Sequence, residues 1–204
     1  MKLYDLTLSG NCYKARLFLG LIGQPVELVP VDLLKGEHKQ PPFLSLNPRG
    51  QVPVLEDGDI RVADSQAILV YLARRYADEA WFPLDAITQA SVVGWLSFAA
   101  NEMHHGPATA RVARLFGRPI DEALTSSRAL AAMQLLEQRL AEHTWLAGTS
   151  TPTIADIAVY PYAGLAGEGG IDLERYPAVR AWCSRIRELP GYLAMPGPGI
   201  GGNS

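Results

Sequence analysis

One stretch of the sequence decides the fold: Asn47-Pro48-Arg49-Gly50-Gln51-Val52-Pro53-Val54-Leu55. Its second proline opens a strand, where the missing N–H removes a donor from the hydrogen-bond ladder. A cis Val52–Pro53 bond would turn the backbone outward and leave the N–H and C=O of Val52 free to pair with an extended peptide. An ordinary trans proline is the alternative, because only about one X–Pro bond in twenty is cis.

Alternating strands and helices surround this stretch in the first half of the chain. The spacing of apolar residues predicts the order strand, helix, strand, short helix, hairpin, helix. These segments are residues 2–8, 12–22, 26–31, 43–46, 52–62 and 65–76. Lys14 and Arg16 lie opposite the apolar face of the first helix, which is therefore expected to be amphipathic. The strand–helix–strand unit predicts a parallel pair, and the hairpin adds antiparallel strands.

The second half of the chain has helical spacing throughout. Residues 86–114 form one long apolar pattern, and Gly106-Pro107 is expected to bend it. Three further helices are predicted over residues 121–143, 153–165 and 177–189. The pattern therefore predicts an α/β domain over residues 1–78, an all-α domain over 86–195 and a flexible glycine-rich tail over 196–204.

Composition excludes several classes of protein. With 204 residues, 48% of them hydrophobic, the chain is too apolar for a disordered protein. Residues 1–80 carry nine basic and ten acidic side chains, and residues 81–204 carry nine and eleven, so neither half predicts nucleic-acid binding. Two cysteines cannot form a disulfide framework, and no apolar run is long enough to span a bilayer. We expect a soluble cytoplasmic protein with no membrane or nucleic-acid partner.

The turn Ser9-Gly10-Asn11-Cys12 lies between the first strand and the first helix. A helix start offers unpaired N–H groups and the positive end of the helix dipole, which stabilise a thiolate of Cys12 or of a bound ligand. The hydroxyl of Ser9 can donate a hydrogen bond to such a thiolate. Alternatively, Ser9 and Asn11 only cap the helix, and Cys12 is a small buried residue. Two-thiol redox chemistry is not expected, because no second cysteine completes a C-x-x-C motif.

Three other polar patterns contain residue types that can bind a ligand, cap a helix or hold a metal ion. Asp64-Ser65-Gln66 begins a helix, and its hydroxyl and carboxylate suit the carboxylate and ammonium of an α-amino acid head group; a plain helix cap is the alternative. Thr153-Ile154-Ala155-Asp156 has the form of a capping box, so Asp156 is expected to be structural. The four histidines lack metal-pair spacing, so no metal site is predicted.

Together, these segments resemble the cytosolic glutathione transferase superfamily. The pieces that carry the resemblance are Ser9-Gly10-Asn11-Cys12, the stretch 47–55, Asp64-Ser65-Gln66-Ala67-Ile68 and Thr153-Ile154-Ala155-Asp156-Ile157-Ala158. The resemblance covers about residues 1–195, with features of bacterial, theta-like and beta-like members. It implies a thioredoxin-like, glutathione-binding N-terminal domain, an all-α C-terminal domain and a homodimer. It also implies a cis Val52–Pro53 bond and a binding role for Ser65.

The resemblance also implies residues that bind glutathione. Val52 would meet the cysteinyl part, Asp64 and Ser65 the γ-glutamyl head, and Gln51 and His38 the glycyl end. The expected glutathione-binding set is His38, Gln51, Val52, Pro53, Asp64 and Ser65. The expected electrophile pocket consists of Tyr13, Phe98, His104 and His105. Glutathione is a co-substrate in this scheme, and no metal or other cofactor is implied.

The catalytic residue differs between classes that this chain resembles. Theta-like and delta-like members use a serine at the position of Ser9, whereas beta-class members use a cysteine at the position of Cys12. We place Ser9 first, with Asn11 assisting, and Cys12 second. The implied activity is a glutathione S-transferase that activates the thiolate for attack on a small hydrophobic electrophile. The alternatives are a glutathione-dependent thiol reductase that uses Cys12 and a non-catalytic binding module.

Overall fold

A computed structural model describes residues 1–195 of the chain, so the tail predicted at 196–204 lies outside the described residues. The chain divides into two compact units. Among the described residues, the first unit comprises Met1–Ala77 together with residues 190–195, and the second comprises Asp78–Leu189. The sequence-based division, 1–78 and 86–195, differs from this one at its C-terminal end, because residues 190–195 return to the first unit.

The first unit is built on a four-stranded mixed sheet with the order β2-β1-β3-β4. The central strand β1 (Lys2–Asp5) runs parallel to β2 (Glu27–Pro30) and antiparallel to β3 (Val54–Asp57). The hairpin partner β4 (Ile60–Ala63) completes the sheet. β1 is shorter than predicted, because the chain turns after Asp5. This mixed topology confirms the thioredoxin-like sheet that the sequence analysis expected.

The helices of this unit cover the sheet and form its core. Helix α1 (Gly10–Leu21) connects the parallel strands β1 and β2, and it packs against α3 (Ser65–Tyr76). The short helix α2 (Pro41–Leu44) precedes the turn into β3. The fully buried apolar side chains of the unit include Leu3, Leu17, Phe18, Leu55, Ile68, Leu69 and Leu72. Each such side chain contributes about 1.5–3 kcal/mol to folding through burial.

A close approach between two glycines joins the C-terminal segment to α1. A Cβ added at Gly20 would lie 2.7 Å from the carbonyl oxygen of Gly191, and one added at Gly191 would lie 2.3 Å from the oxygen of Gly20. Gly191 also has a φ of +81°, which disfavours other residues. About two helical turns closer to the N-terminus of α1, the Tyr13 hydroxyl donates a 2.6 Å hydrogen bond to the carbonyl of Leu193. The segment is therefore anchored along α1.

The second unit is helical, and its first helix bends where the sequence predicts. Helix α4 (Ala86–Ala100) is followed by a π-helical turn (His104–Ala108) and α5 (Thr109–Phe116). Pro107 lacks a donor for the α-helical hydrogen-bond pattern. A Cβ added at Gly106 would lie 2.8 Å from the backbone of Ala129, so this glycine lets the bend pack directly against the next helix.

The rest of the second unit packs around a buried aspartate. Helices α6 (Glu122–Glu142), α7 (Ile154–Gly164) and α8 (Pro177–Arg187) follow in order. Asp156 is fully buried in α7 and accepts hydrogen bonds from the backbone N–H groups of Leu146 at 3.0 Å and Thr153 at 2.9 Å. It also accepts from the indole of Trp182 at 2.9 Å. These partners give Asp156 the structural role that the capping-box pattern predicts.

Candidate functional site

The first part of the site is the turn between β1 and α1. Ser9 is the N-cap of α1, with extended backbone angles, and its Oγ accepts a hydrogen bond from the Cys12 N–H at 3.3 Å. The Ser9 side chain is half-buried and stands at the helix end where N–H groups and the positive dipole concentrate. This is a suitable place for an anion such as a thiolate.

Cys12 points into the first unit, away from solvent. Its side chain is fully buried, and its Sγ accepts a hydrogen bond from the Leu6 N–H at 3.4 Å. Burial, with a further contribution from the charge of Asp5, raises the pKa of the Cys12 thiol to about 12, and a hydrogen bond with Ser9 opposes the rise. A neutral thiol without access to solvent is a poor nucleophile. The position therefore favours Ser9 over Cys12 as the residue that meets a ligand sulfur.

The second part of the site is the N-terminus of α3. Asp64 caps this helix, since its Oδ1 accepts hydrogen bonds from Gln66 N at 2.8 Å and Ala67 N at 3.2 Å. Its φ of +107° is unusual for a residue with a side chain, and such strain costs about 1–3 kcal/mol and is concentrated at functional sites. The buried Ser65 hydroxyl donates to the Asn11 Oδ1 at 3.3 Å, which joins the first turns of α1 and α3.

The third part is the backbone before β3. The Val52–Pro53 peptide bond is cis, so this prediction is confirmed. Asn47 organises the preceding turn, because its Nδ2 donates to the carbonyl of Gln51 at 2.8 Å. Within residues 1–195, the backbone N–H and C=O of Val52 make no hydrogen bond. An extended ligand can therefore pair with Val52 as an added strand would.

A neighbouring loop packs against this turn and brings His38 to it. Gly50 has a φ of +57°, and a Cβ there would lie 2.7 Å from the carbonyl oxygen of His38. The Lys39 ammonium donates to the carbonyl of Gly50 at 3.1 Å. The Nδ1 of His38 is buried and has no hydrogen-bond partner among the described residues. His38 and Gln51 thus share one region, which also contains Lys39, a residue that the sequence analysis did not single out.

The burial of Lys14 differs from what its sequence pattern predicts. Its pattern predicted a polar helix face, yet Lys14 is fully buried. Burial lowers the pKa of the Lys14 ammonium to about 7, and the nearby negative charge of Asp64 opposes this. Sequence periodicity cannot reveal such burial, because it depends on segments that pack against α1 from elsewhere in the chain.

Comparison with known proteins assigns this arrangement to a family. A family model described as Glutathione S-transferase, N-terminal domain, matches residues 1–74, and one described as Glutathione S-transferase, C-terminal domain, matches residues 121–185. A probable glutathione S-transferase of Oryza sativa subsp. japonica, GSTF2, is 33% identical over 202 residues, which cover 93% of each chain. The chain belongs to the glutathione S-transferase family.

Two further relatives extend the comparison. A crystal structure of a glutathione S-transferase from Pseudomonas fluorescens Pf-5 superimposes with a TM-score of 0.89 at 36% identity, covering 95% of this chain and 98% of the other. A maleylacetoacetate isomerase of Pseudomonas aeruginosa is 30% identical over 203 residues, covering 94% of this chain and 93% of the relative. The predicted fold, a thioredoxin-like unit and a helical unit of the glutathione S-transferase type, is thereby confirmed.

The residues expected to contact the electrophile lie in both units. Tyr13 is buried in the first unit, where its hydroxyl is engaged by Leu193, so this position gives it an anchoring role. Phe98 and His105 line a groove of about 430 Å³ in the helical unit. His104 is exposed, and its ring centroid lies 5.0 Å from that of His105 in an edge-to-face arrangement. The structure thus brings Phe98 and His105 together.

Within residues 1–195, no helix combines the length and apolar character that crossing a bilayer requires. In the same part of the chain, no group of three His, Cys, Asp or Glu side chains is arranged to hold a metal ion.

Proposed function

We propose that this member of the glutathione S-transferase family is a glutathione transferase that activates the thiol of glutathione for attack on a small hydrophobic electrophile. One observation carries the proposal. In the first unit, the backbone of Val52 is unpaired within residues 1–195, a Ser65–Asn11 hydrogen bond joins the first turns of α3 and α1, and Ser9 caps α1. These groups match the parts of a γ-linked tripeptide with a thiol at its centre.

The γ-glutamyl head is assigned to the N-terminus of α3. There the Ser65 hydroxyl and the helix N–H groups can donate to its α-carboxylate. The carboxylate of Asp64 is almost half exposed and can accept its ammonium. The Arg49 guanidinium lies 4.0 Å from the Asp64 carboxylate and balances part of its charge.

The middle and the glycyl end of the tripeptide follow along the turn. The cysteinyl backbone would pair with the N–H and C=O of Val52, which places the ligand's side chain toward the start of α1. The glycyl carboxylate would meet His38 and Gln51. Lys39, whose ammonium lies beside the same turn, adds a positive charge to this end. Hydrogen-bond donors and cations thus face both carboxylates of the ligand in this proposal.

The thiol of glutathione is activated by Ser9 in this proposal. A free thiol of this type has a pKa of about 8.5, and each unit of lowering requires about 1.4 kcal/mol of stabilisation of the thiolate. One hydrogen bond to a charged group contributes about 1.5–3 kcal/mol, enough for roughly one to two units. The Ser9 hydroxyl donates this bond, with the positive end of α1 and the amide of Asn11 assisting.

The reductase alternative, in which Cys12 forms a mixed disulfide, receives no support from the geometry. The thiol is buried, and its raised pKa of about 12 leaves little thiolate at neutral pH. Incubation with oxidised glutathione followed by intact mass measurement tests this directly. A glutathione adduct on Cys12 of the folded protein would favour the reductase.

Several broader features belong to the same proposal. The candidates for binding the electrophile remain Tyr13 in the first unit and Phe98, His104 and His105 in the helical unit. We also propose a homodimer in the cytoplasm, with glutathione as co-substrate and no metal requirement. Light scattering coupled to gel filtration tests the dimer, and activity after exhaustive chelation tests the metal independence.

Binding and turnover test the proposed function as a whole. Calorimetric titration with glutathione should give a one-site isotherm, and conjugation of aromatic electrophiles should follow. Maleylacetoacetate is included among the substrates, since one relative is named for its isomerisation. Ser184→Ala, at an exposed serine of the second unit, controls for loss of a hydroxyl as such. Absence of glutathione binding would refute the proposal and favour the non-catalytic module.

A further inference from the structure

The loop between β1 and α1 is held by one guanidinium group. Arg16, on the second turn of α1, donates to the carbonyl of Thr7 at 2.7 Å and to the carbonyl of Leu6 at 3.5 Å. It also forms an ion pair and hydrogen bond with the carboxylate of Asp5, the last residue of β1. The side chain thus ties the helix to the strand end and to two successive residues of the loop.

The ion pair between Arg16 and Asp5 lies inside the first unit. The two side chains are only 11% and 7% exposed, so each charge depends on the other for compensation. Burial raises the pKa of the Asp5 carboxyl, and the charge of Arg16 together with hydrogen bonds from Arg16 and Cys12 opposes this. We call Arg16 and Asp5 together the loop lock.

The loop lock is connected to Ser9 through Leu6. The Ser9 N–H donates to the carbonyl of Leu6 at 2.9 Å, and this is the carbonyl that Arg16 also contacts. The N–H of Leu6 in turn donates to the Sγ of Cys12. Displacing Leu6 therefore displaces the backbone of Ser9, whose side chain the proposed mechanism uses.

We infer that Arg16 is a positioning residue for Ser9, and that it controls the reactivity of bound glutathione and leaves its affinity largely unchanged. This inference rests on the proposed function. Binding and reactivity are separable because the groups assigned to the peptide backbone and to its two ends lie on other segments of the chain, at Val52, Ser65 and His38. Arg16 and Asp5 are linked through Leu6 to Ser9, the residue assigned to the thiol.

Hydrogen-bond geometry explains why a small displacement of Ser9 matters. Hydrogen bonds weaken steeply away from linear geometry and normal length, and a misplacement of about 1 Å can cost a hundredfold in rate. Lysine at position 16 would keep the positive charge. It would lose the planar fork that contacts Asp5, Leu6 and Thr7 together. Arg16→Lys therefore tests positioning while retaining the charge.

The experiment compares Arg16→Lys and Arg16→Met with a matched control, Lys2→Met. Lys2 also forms an ion pair, with Glu27 at 3.9 Å, but that pair is exposed on the sheet. Three quantities are measured: the pH–rate profile of conjugation, the dissociation constant of S-methylglutathione and the rate at which a thiol reagent labels Cys12. S-methylglutathione reports binding alone, because it has no ionisable thiol.

The expected result is specific to the thiol. Arg16→Lys should raise the apparent pKa of the profile by about one unit and lower the rate at neutral pH roughly tenfold. The dissociation constant of S-methylglutathione should stay within about twofold of the original, which corresponds to less than 0.5 kcal/mol. Labelling of Cys12 should accelerate, since the loop covers its sulfur. Arg16→Met should show larger changes in the same direction, and Lys2→Met none.

Other outcomes would overturn the inference. If a folded Arg16→Lys protein keeps the original pH–rate profile, the position of Ser9 does not depend on the Arg16 guanidinium. A weaker affinity for S-methylglutathione with an unchanged profile shows that Arg16 serves binding. If the Arg16 variants do not fold, the near-isosteric variant Asp5→Asn is measured in their place. It should raise the same apparent pKa by a smaller amount. An unchanged apparent pKa in this variant would contradict the inference.

A parallel Ser9→Ala variant separates this inference from the proposed function. If Ser9→Ala leaves the profile unchanged, thiol activation by Ser9 is wrong and the inference falls with it. If Ser9→Ala changes the profile and Arg16→Lys does not, only the inference fails. In the double variant, Arg16→Lys should add little to Ser9→Ala, because residues that act through one group are not additive.

Discussion

Replacing Ser9 with alanine removes the hydroxyl that caps α1 beside the proposed position of the glutathione sulfur. The loss of one hydrogen bond to a thiolate, about 1.5–3 kcal/mol, should raise the apparent pKa of conjugation by roughly one to two units. At neutral pH the rate should fall roughly ten- to a hundredfold. Because Ser9 also accepts the Cys12 N–H, the variant should lose about 1 kcal/mol of stability as a missing cap.

The assay is a pH–rate profile at saturating glutathione, measured on protein whose folded fraction is checked at each pH. The same profile is recorded for Cys12→Ala. That change removes a buried sulfur that faces Leu6 and Asp5, so conjugation should stay within a few-fold of the original rate. The stability of this variant should fall, because removing buried atoms leaves a small cavity.

A reversed pattern would refute the reasoning. If Cys12→Ala binds glutathione normally but has no conjugating activity, while Ser9→Ala remains active, the sulfur of Cys12 takes part in turnover. The buried position described above would then have to open during catalysis. The pair of variants therefore decides between a hydroxyl and a thiol at the centre of the site.

The remaining predictions concern binding, pH and packing. Ser65→Ala should weaken glutathione binding by about 1–3 kcal/mol in calorimetry, with little loss of melting temperature because Asp64 is the helix cap; a lower melting temperature with unchanged affinity would show a structural role only. Burial lowers the pKa of Lys14 in the folded protein to about 7, from its ordinary value of 10.5. The unfolded chain therefore binds more protons between these two pH values, and the free energy of unfolding should rise with pH across this range. Urea unfolding at pH 7 and pH 9 should show that Lys14→Met removes this slope. Gly20→Ala should cost about 1–3 kcal/mol through its clash with the C-terminal segment, whereas Gly94→Ala, on a helix surface with no neighbour within 4 Å, should gain up to about 1 kcal/mol; equal effects in thermal unfolding would contradict the packing argument.

The parts of the fold that local chemistry determines were predictable from the sequence. The hairpin after Leu55, the start of α3 at Ser65 and the bend at Gly106-Pro107 each depend on a few neighbouring residues. The cis bond at Val52–Pro53 was predictable only through the family motif, because the residues alone favoured trans. Each of these features occurs in the structure at the residues where it was expected.

The parts that depend on distant segments were not predictable. Lys14 was assigned to a polar face because helical periodicity assumes one buried side, yet burial extends around most of α1. The hydrogen bond from the Tyr13 hydroxyl to the carbonyl of Leu193 joins residues that are far apart in sequence, so no local pattern predicts it. The role of Arg16 depends on the path of the loop before α1. Such contacts are set by tertiary packing, which leaves no periodic trace in one sequence.

The return of the C-terminal segment to α1 has a consequence for how the chain is made. Domains generally fold from the N-terminus as synthesis proceeds. Here α1 leaves the ribosome early, but two of its contacts come from residues synthesised much later. Gly191 packs against Gly20, and the carbonyl of Leu193 accepts the hydrogen bond of the Tyr13 hydroxyl. The first unit therefore lacks its contacts with Gly191 and Leu193 until the helical unit has been synthesised. A chain that stops at Leu189 should expose α1 to proteases, because it lacks the Gly191 and Leu193 contacts that complete the first unit.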